Sequence, residues 1–133
     1  MGTVIDSSVL VAAERGDLDL TAVTGASAED EAVIAAITAS ELLHGVHRLT
    51  GAVRRARTER IVEHILSTVD VVPFDLTIAR VHAVLSADLR ARGTAVGAHD
   101  LQIAATAVAL GFSVATRDRR SFHRIAGLDV LYW

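Results

Sequence analysis

Cysteine and lysine are both absent from the 133 residues of this chain. Without cysteine there are no disulfides, thiolate metal sites or thiol nucleophiles. Without lysine there is no phosphate-binding P-loop and no Schiff-base chemistry, and all 13 basic residues are arginines. Aromatic residues make up only 4%, with Phe74, Phe112 and Phe122 the three phenylalanines and Tyr132 and Trp133 at the end. RNA binding by base stacking across an open sheet is therefore not expected, and these side chains are assigned to the core or an interface. No GxGxxG, GxSxG or HExxH motif occurs, which removes dinucleotide, hydrolase-elbow and zincin readings. The longest apolar stretch is broken by Gln102, Thr106 and Gly111 and falls short of the roughly 20 residues of a membrane span. Strand-like Thr3–Ile5 leaves no room for a cleavable signal, so a cytoplasmic protein with no membrane association is expected.

What is present fits one domain spanning 1–133: 51% apolar and 22% charged residues, in a chain long enough to bury roughly two thirds of its unfolded surface. The net charge of −3 does not argue against a polyanionic substrate, because with four of the 16 acids set aside as ligands, 12 remain against 13 arginines.

The stretch from Gly97 to Asp118 is the most informative. Between Leu101 and Leu110 only Gln102 and Thr106 are polar, which predicts a helix with no solvated face. Gly111 ends it, and Phe112–Thr116 reads as a strand. Asp100 opens this unit and Asp118 follows it. Elsewhere, Thr3–Ile5 is a strand stopped by Asp6, with a helix over Ser7–Arg15. Gly25–Glu31 belongs to a short helix or loop, and Val33–Ile37 is the next strand, with Glu41 in the opening turn of the helix that follows. A helix over Val53–Thr68, a strand over Val69–Phe74 and a helix over Leu76–Arg92 come next. A helical turn within Arg119–Ile125 and an edge strand within Leu128–Trp133 close the chain. Strands alternating with helices predict an α/β fold in three layers, a central mainly parallel sheet with helices on both faces. Loops that follow parallel strands emerge on one edge, which gathers Asp6, Glu41 and Asp118 there, with Asp100 joining from its helix N-terminus.

Each of these acids has a purely structural explanation. Aspartate is a preferred helix cap, and Thr38-x-x-Glu41 matches a capping box. Capping gives no reason to collect four mutually repelling carboxylates on one edge, whereas Mg²⁺ or Mn²⁺, hard ions that take oxygen ligands, supplies one. Such ions activate water and neutralise a leaving oxygen in phosphodiester hydrolysis.

The segments VIDSSVLVA, ITASELLHGV, HDLQIAATAVALG and ATRDRRSFHRIAGL, in that order across essentially the whole chain, resemble the PIN-domain ribonucleases, specifically VapC-type toxins of bacterial toxin–antitoxin pairs. The resemblance implies a PIN-like fold and an Mg²⁺- or Mn²⁺-dependent endoribonuclease. Asp6, Glu41, Asp100 and Asp118 would be its metal-binding and catalytic acids, and Ser7 and Thr116 its supporting hydroxyls. It also implies cleavage of structured RNA such as tRNA or rRNA to 5′-phosphate and 3′-hydroxyl ends, a cognate VapB-type antitoxin with a basic side chain in the acidic groove, and a homodimer. Many relatives carry Asn at the place of Asp118 and an acid or histidine three residues on, where this chain has Ser121.

Arg117, Arg119, Arg120 and Arg124 surround the last acid and are candidate RNA-binding residues, since guanidinium suits bidentate phosphate contact. Arg54, Arg55, Arg57 and Arg60 form a second basic group or balance Glu59 and Glu63. Glu41-x-x-His44 lacks the second copy that a di-iron bundle needs, and His44 with His47 gives only two ligands. His99 is placed in a loop at the rim of the site. Two other functions share the acidic edge: a non-catalytic PIN-like domain that docks a basic peptide, and a phospho-acceptor receiver, which would need a lysine.

Overall fold

The computed structural model describes residues 2–19, 21 and 30–133. The chain runs β1 (Thr3–Ile5), α1 (Ser7–Glu14), β2 (Ala32–Ala35), α2 (Ala36–His47), α3 (Ala52–Thr68), β3 (Asp70–Val72), α4 (Leu76–Ala91), α5 (Ala98–Leu110), β4 (Ser113–Thr116), a short 3₁₀ turn (Phe122–Arg124) and β5 (Val130–Tyr132). Most of the stretch assigned to Gly25–Glu31 lies outside the described residues.

All five strands pair in parallel, in the order β3-β2-β1-β4-β5. The two central strands beside β1 are built from Ala, Val, Ile, Ser and Thr and are buried almost throughout, as strands covered on both faces must be. Val4 lies in register with Val33 and Val114 and packs with Ile78, Leu85 and Leu89 of α4 and with α5. Ile5 and Ile34 face the other way, against Val9 and Leu10 of α1, Leu42 and Val46 of α2, and Val62 and Ile65 of α3. The alternation of these residues along the strands thus assigns α4 and α5 to one layer and α1, α2 and α3 to the other.

The strand order reverses between β1 and β4. Chain leaving β1 runs to β2 and β3 on one side, and later crosses to β4 and β5 on the other. The crevice this opens at the strand C-termini is where ligands bind in open parallel sheets. Asp6 directly follows β1, and its N–H donates to the Ala115 carbonyl of β4 at 2.9 Å, so it sits in that crevice.

Two of the boundaries that differ from the sequence reading bear on the site. The strand expected over Val33–Ile37 ends at Ala35, which is extended (φ −73°, ψ 151°) and leads straight into α2. Glu41 is therefore in the second turn of that helix, not its opening. A short apolar run has no period to separate strand from helix, and Ile37 is buried equally well by either. In the same way α5 starts at Ala98 after Gly97, so Asp100 is a first-turn residue and His99 belongs to the helix and not to a loop. Gly111 does end α5, in the left-handed conformation (φ 70°) that glycine adopts without strain.

Candidate active site

Asp6, Ser7, Ser8, Asp100, Arg117 and Asp118 line a cleft of about 470 Å³ at the C-terminal edge of β1 and β4. Asp6 is its most enclosed acid, 4% exposed. Its Oδ2 accepts hydrogen bonds from Ser8 Oγ at 2.6 Å and from Thr116 Oγ1 at 2.9 Å. Thr116 Oγ1 in turn accepts from the Asp118 N–H at 2.9 Å, and Ser8 Oγ accepts from the Arg117 N–H at 3.0 Å. One buried hydroxyl at the end of β4 thereby fixes both the acid of β1 and the backbone that carries Asp118. Replacing it, Thr116→Val, should cost about 1–3 kcal/mol in denaturant unfolding, because the Asp118 N–H loses its acceptor in a closed space. An unchanged midpoint would show that this hydroxyl holds nothing.

Helix capping does not account for the acids. Neither the Asp6 side chain at the start of α1 nor any side chain at the start of α2 or α5 caps its helix. The capping box expected of Thr38 and Glu41 does not form: Thr38 Oγ1 and Glu41 Oε1 are both buried with no hydrogen-bond partner among the described residues. Glu41 Oε2 faces Ser7 Oγ at 3.4 Å and His99 Nδ1 at 3.7 Å. Asp118 differs from the others: its carboxylate accepts from Arg120 through the backbone N–H at 2.8 Å, Nε at 3.0 Å and Nη2 at 3.2 Å.

Burial raises the Glu41 carboxyl above the usual carboxylate range, the His99 ring opposes the rise, and the charges of Asp6 and Asp100 add to it. Burial likewise raises Asp100, opposed by a hydrogen bond from Ser121 and reinforced by the charges of Asp6 and Asp118. Ser121 thus serves Asp100. The hydrogen bonds from Arg120 hold Asp118 below the usual range. Glu41 thus feels the charges of Asp6 and Asp100, and Asp100 those of Asp6 and Asp118, although no three His, Asp or Glu side chains among the described residues form a closed cation cage. An oxygen-only donor set with one buried, unpartnered carboxylate oxygen suits a hard divalent ion that keeps several of its own waters.

The family model for the PIN domain matches residues 3–128. Ribonuclease VapC1 of Rickettsia felis is 34% identical over 98% of this chain and 96% of its own length. The chain belongs to the VapC ribonucleases of the PIN domain family. It is thus a nuclease, and the three-layer fold expected from its sequence is the one found, with every strand parallel. The tRNA(fMet)-specific endonuclease VapC of Salmonella typhimurium is 32% identical over 75% of this chain and 74% of that protein. Among solved structures, VapBC-5 from Mycobacterium tuberculosis, a member of the VapBC family of toxin-antitoxin systems, superposes with a TM-score of 0.80 at 26% identity. It covers 99% of this chain and 98% of its own.

In this VapC chain Ser7 and Thr116 both stand against carboxylates, and one more hydroxyl joins them. Ser7 faces Glu41, and Ser8, not singled out in the sequence, binds Asp6. The Asp-Ser-Ser run carries the signal: a serine two residues after an aspartate at a helix start can turn back onto its carboxylate. The candidate arginines also separate. Arg120 is tied to Asp118, Arg119 stacks 4.3 Å from the centroid of the Tyr132 ring, and Arg124 donates to the Ala95 carbonyl at 2.9 Å. Arg117 lines the cleft. Among the histidines, His47 Nδ1 is engaged with Arg55 Nη2 at 2.9 Å, well away from any metal role. No helix among the described residues is long and apolar enough to cross a membrane.

Proposed function

We propose that this VapC chain is an Mg²⁺- or Mn²⁺-dependent endoribonuclease toxin of the cytoplasm, with Asp6, Glu41, Asp100 and Asp118 as its catalytic acids. The observation that carries the reading is that Asp6, Asp100 and Asp118 line one cleft and Glu41 stands beside it near enough to feel Asp6 and Asp100, with burial first and then the neighbouring charges raising Asp100 and Glu41. Asp6, Asp100 and Asp118 would hold the ion directly or through its waters, with Glu41 as a further ligand or as the group that orients the attacking water. A bound divalent ion would supply Lewis-acid stabilisation of the phosphodiester and a more acidic water. Asp6 is prepositioned by Ser8 and Thr116. Glu41, with Oε1 free of partners, can accept a proton from that water, and the adjacent His99 favours its charged form. Asp118 would exchange contacts with Arg120 for the ion, and this guanidinium is 87% exposed and so gives up little on release.

The tRNA-specific relative supports structured RNA as the substrate, and the VapBC relative supports a VapB-type antitoxin; rRNA as the other substrate class, and a basic side chain of the antitoxin in the acidic groove in place of the ion, complete the reading. A homodimer belongs to it as well, supported by the exposed Phe74, Leu76 and Val84. Sedimentation as a monomer at micromolar concentration would remove that part.

Incubation of the purified protein with tRNA and rRNA in Mg²⁺ or Mn²⁺ tests the reading. Discrete fragments bearing 5′-phosphate ends are expected. Intact RNA with both ions would leave a docking domain instead.

The raised carboxyls give a further expectation for the metal-free protein. A carboxyl whose pKa is higher folded than unfolded takes up its proton first in the folded state. Its contribution is thus most favourable below the ordinary carboxylate range and is lost as pH rises through the raised value. Near neutral pH Asp100 and Glu41 are therefore destabilising charges, and Asp100→Asn in EDTA should raise stability by about 0.5–2 kcal/mol. Reduced stability in a chelator would mean that Asp100 is a structural group.

A further inference from the structure

The arginines that flank Asp118 in the sequence are mostly occupied, whereas others, remote in sequence, are not. Arg15 belongs both to the acidic cleft and to a second cleft of about 310 Å³ between α1, α2 and α3, which also reaches Ser7 and Glu41. Arg48 belongs to that second cleft and to a third, which contains Glu41 and His99. Arg54 lines the second cleft, and Arg117 joins the acidic cleft to a fourth beside Asp118. Each seam between neighbouring clefts thus carries an arginine. None of these four guanidiniums has a hydrogen bond or ion pair among the described residues, unlike Arg92, Arg119, Arg120 and Arg124.

An unpaired cation beside an acidic site has two uses. It can lower the local negative potential, or it can hold an anion that runs past. No such ion pair draws these arginines onto the acids, and they extend in a row on both sides of the reacting position. Separate cations at successive cleft seams suit a chain of phosphates better than a single anion. Val11 and Leu49, both half-buried along the second cleft, offer contact to a base or ribose. Glu14 also lies there, so the positive balance rests on the three arginines together.

Resting on the nuclease reading, we infer that Arg15, Arg48 and Arg54, continued by Arg117 past the acids, hold the RNA backbone on both sides of the scissile phosphate. A single-stranded segment of the RNA lies along the joined clefts, with Arg15 next to the acids, Arg48 just past the end of α2 and Arg54 in the first turn of α3. These are positioning residues, and they act on affinity.

The test measures binding, not cleavage, so that it survives failure of the catalytic assignment. A fluorescent single-stranded oligoribonucleotide is titrated in EDTA with the full chain carrying Asp100→Asn, at several salt concentrations. Arg15→Gln, Arg48→Gln and Arg54→Gln are compared singly and together on that background. Arg80→Gln, on α4 across the sheet, is the control. Each single change should weaken binding several-fold and flatten the dependence of log K on log salt by about 0.7, the triple change by about 2, while Arg80→Gln leaves both as they were. Unfolding midpoints within about 0.5 kcal/mol of the parent check that the fold is kept. Unchanged affinity and slope in the triple variant would overturn the inference. So would competition by poly-glutamate as effective as that by RNA of equal charge, which would assign the row to an acidic peptide. RNA binding that follows the arginines in a protein without nuclease activity would retain this surface and reject only the catalytic reading.

Discussion

Asp6→Asn should lower RNA cleavage by about 10²–10³-fold, an effect of the size seen when one preorganised group of a charged site is removed. Asparagine has the same shape, and its oxygen can still accept from Ser8 or Thr116, so the cleft keeps its geometry. What it lacks is the negative charge at the one acid enclosed by the sheet itself. Loss of that charge also relieves Asp100 and Glu41, both of which Asp6 pushes up. The variant should accordingly melt no lower than the parent in EDTA. Reduced cleavage together with a lower melting temperature would point to a damaged fold, and a fully active variant would remove Asp6 from the chemistry.

The second large effect concerns the ion. A cation that binds only the folded chain stabilises it by mass action, about 2.7 kcal/mol at a concentration one hundred times its dissociation constant. For a chain of this size that corresponds to a rise of roughly 8–12 °C in melting temperature with saturating Mn²⁺. The source of the gain is local: burial and mutual repulsion make Asp100 and Glu41 costly as bare anions, and a divalent ion reverses the sign of every pair. The rise should disappear in Asp6→Asn. An equal rise in that variant would place the ion elsewhere, and no rise in the parent would leave the acids without their proposed ligand.

The acids were legible in the sequence because strand followed by acid is a local pattern, and parallel topology brings strand ends to one edge. Asp6 and Asp118 follow β1 and β4 as that argument requires. Glu41 reached the site by a different route, from the second turn of α2, because the apolar run Val33–Ile37 does not reveal where strand becomes helix. The distribution of hydroxyls was less accessible. Ser7 and Ser8 are adjacent and alike, and only the direction of α1 sends one to Glu41 and the other to Asp6. Least legible were the arginines. Proximity to Asp118 in sequence suggested Arg119, Arg120 and Arg124, but a guanidinium is long enough to settle on Tyr132, on Asp118 or on the Ala95 carbonyl. The open positions fell to Arg15, Arg48 and Arg54, at the ends of three helices that meet only in the folded layer.

One measurement tests the central claim most directly: the single-turnover cleavage rate of one defined RNA as free Mn²⁺ is raised from an EDTA baseline, beside the melting temperature at the same concentrations. The four-acid site predicts no cleavage at the baseline, and rate and melting temperature that rise with a common midpoint. Cleavage at full rate in EDTA, or in the Asp6→Asn protein at saturating Mn²⁺, would contradict it.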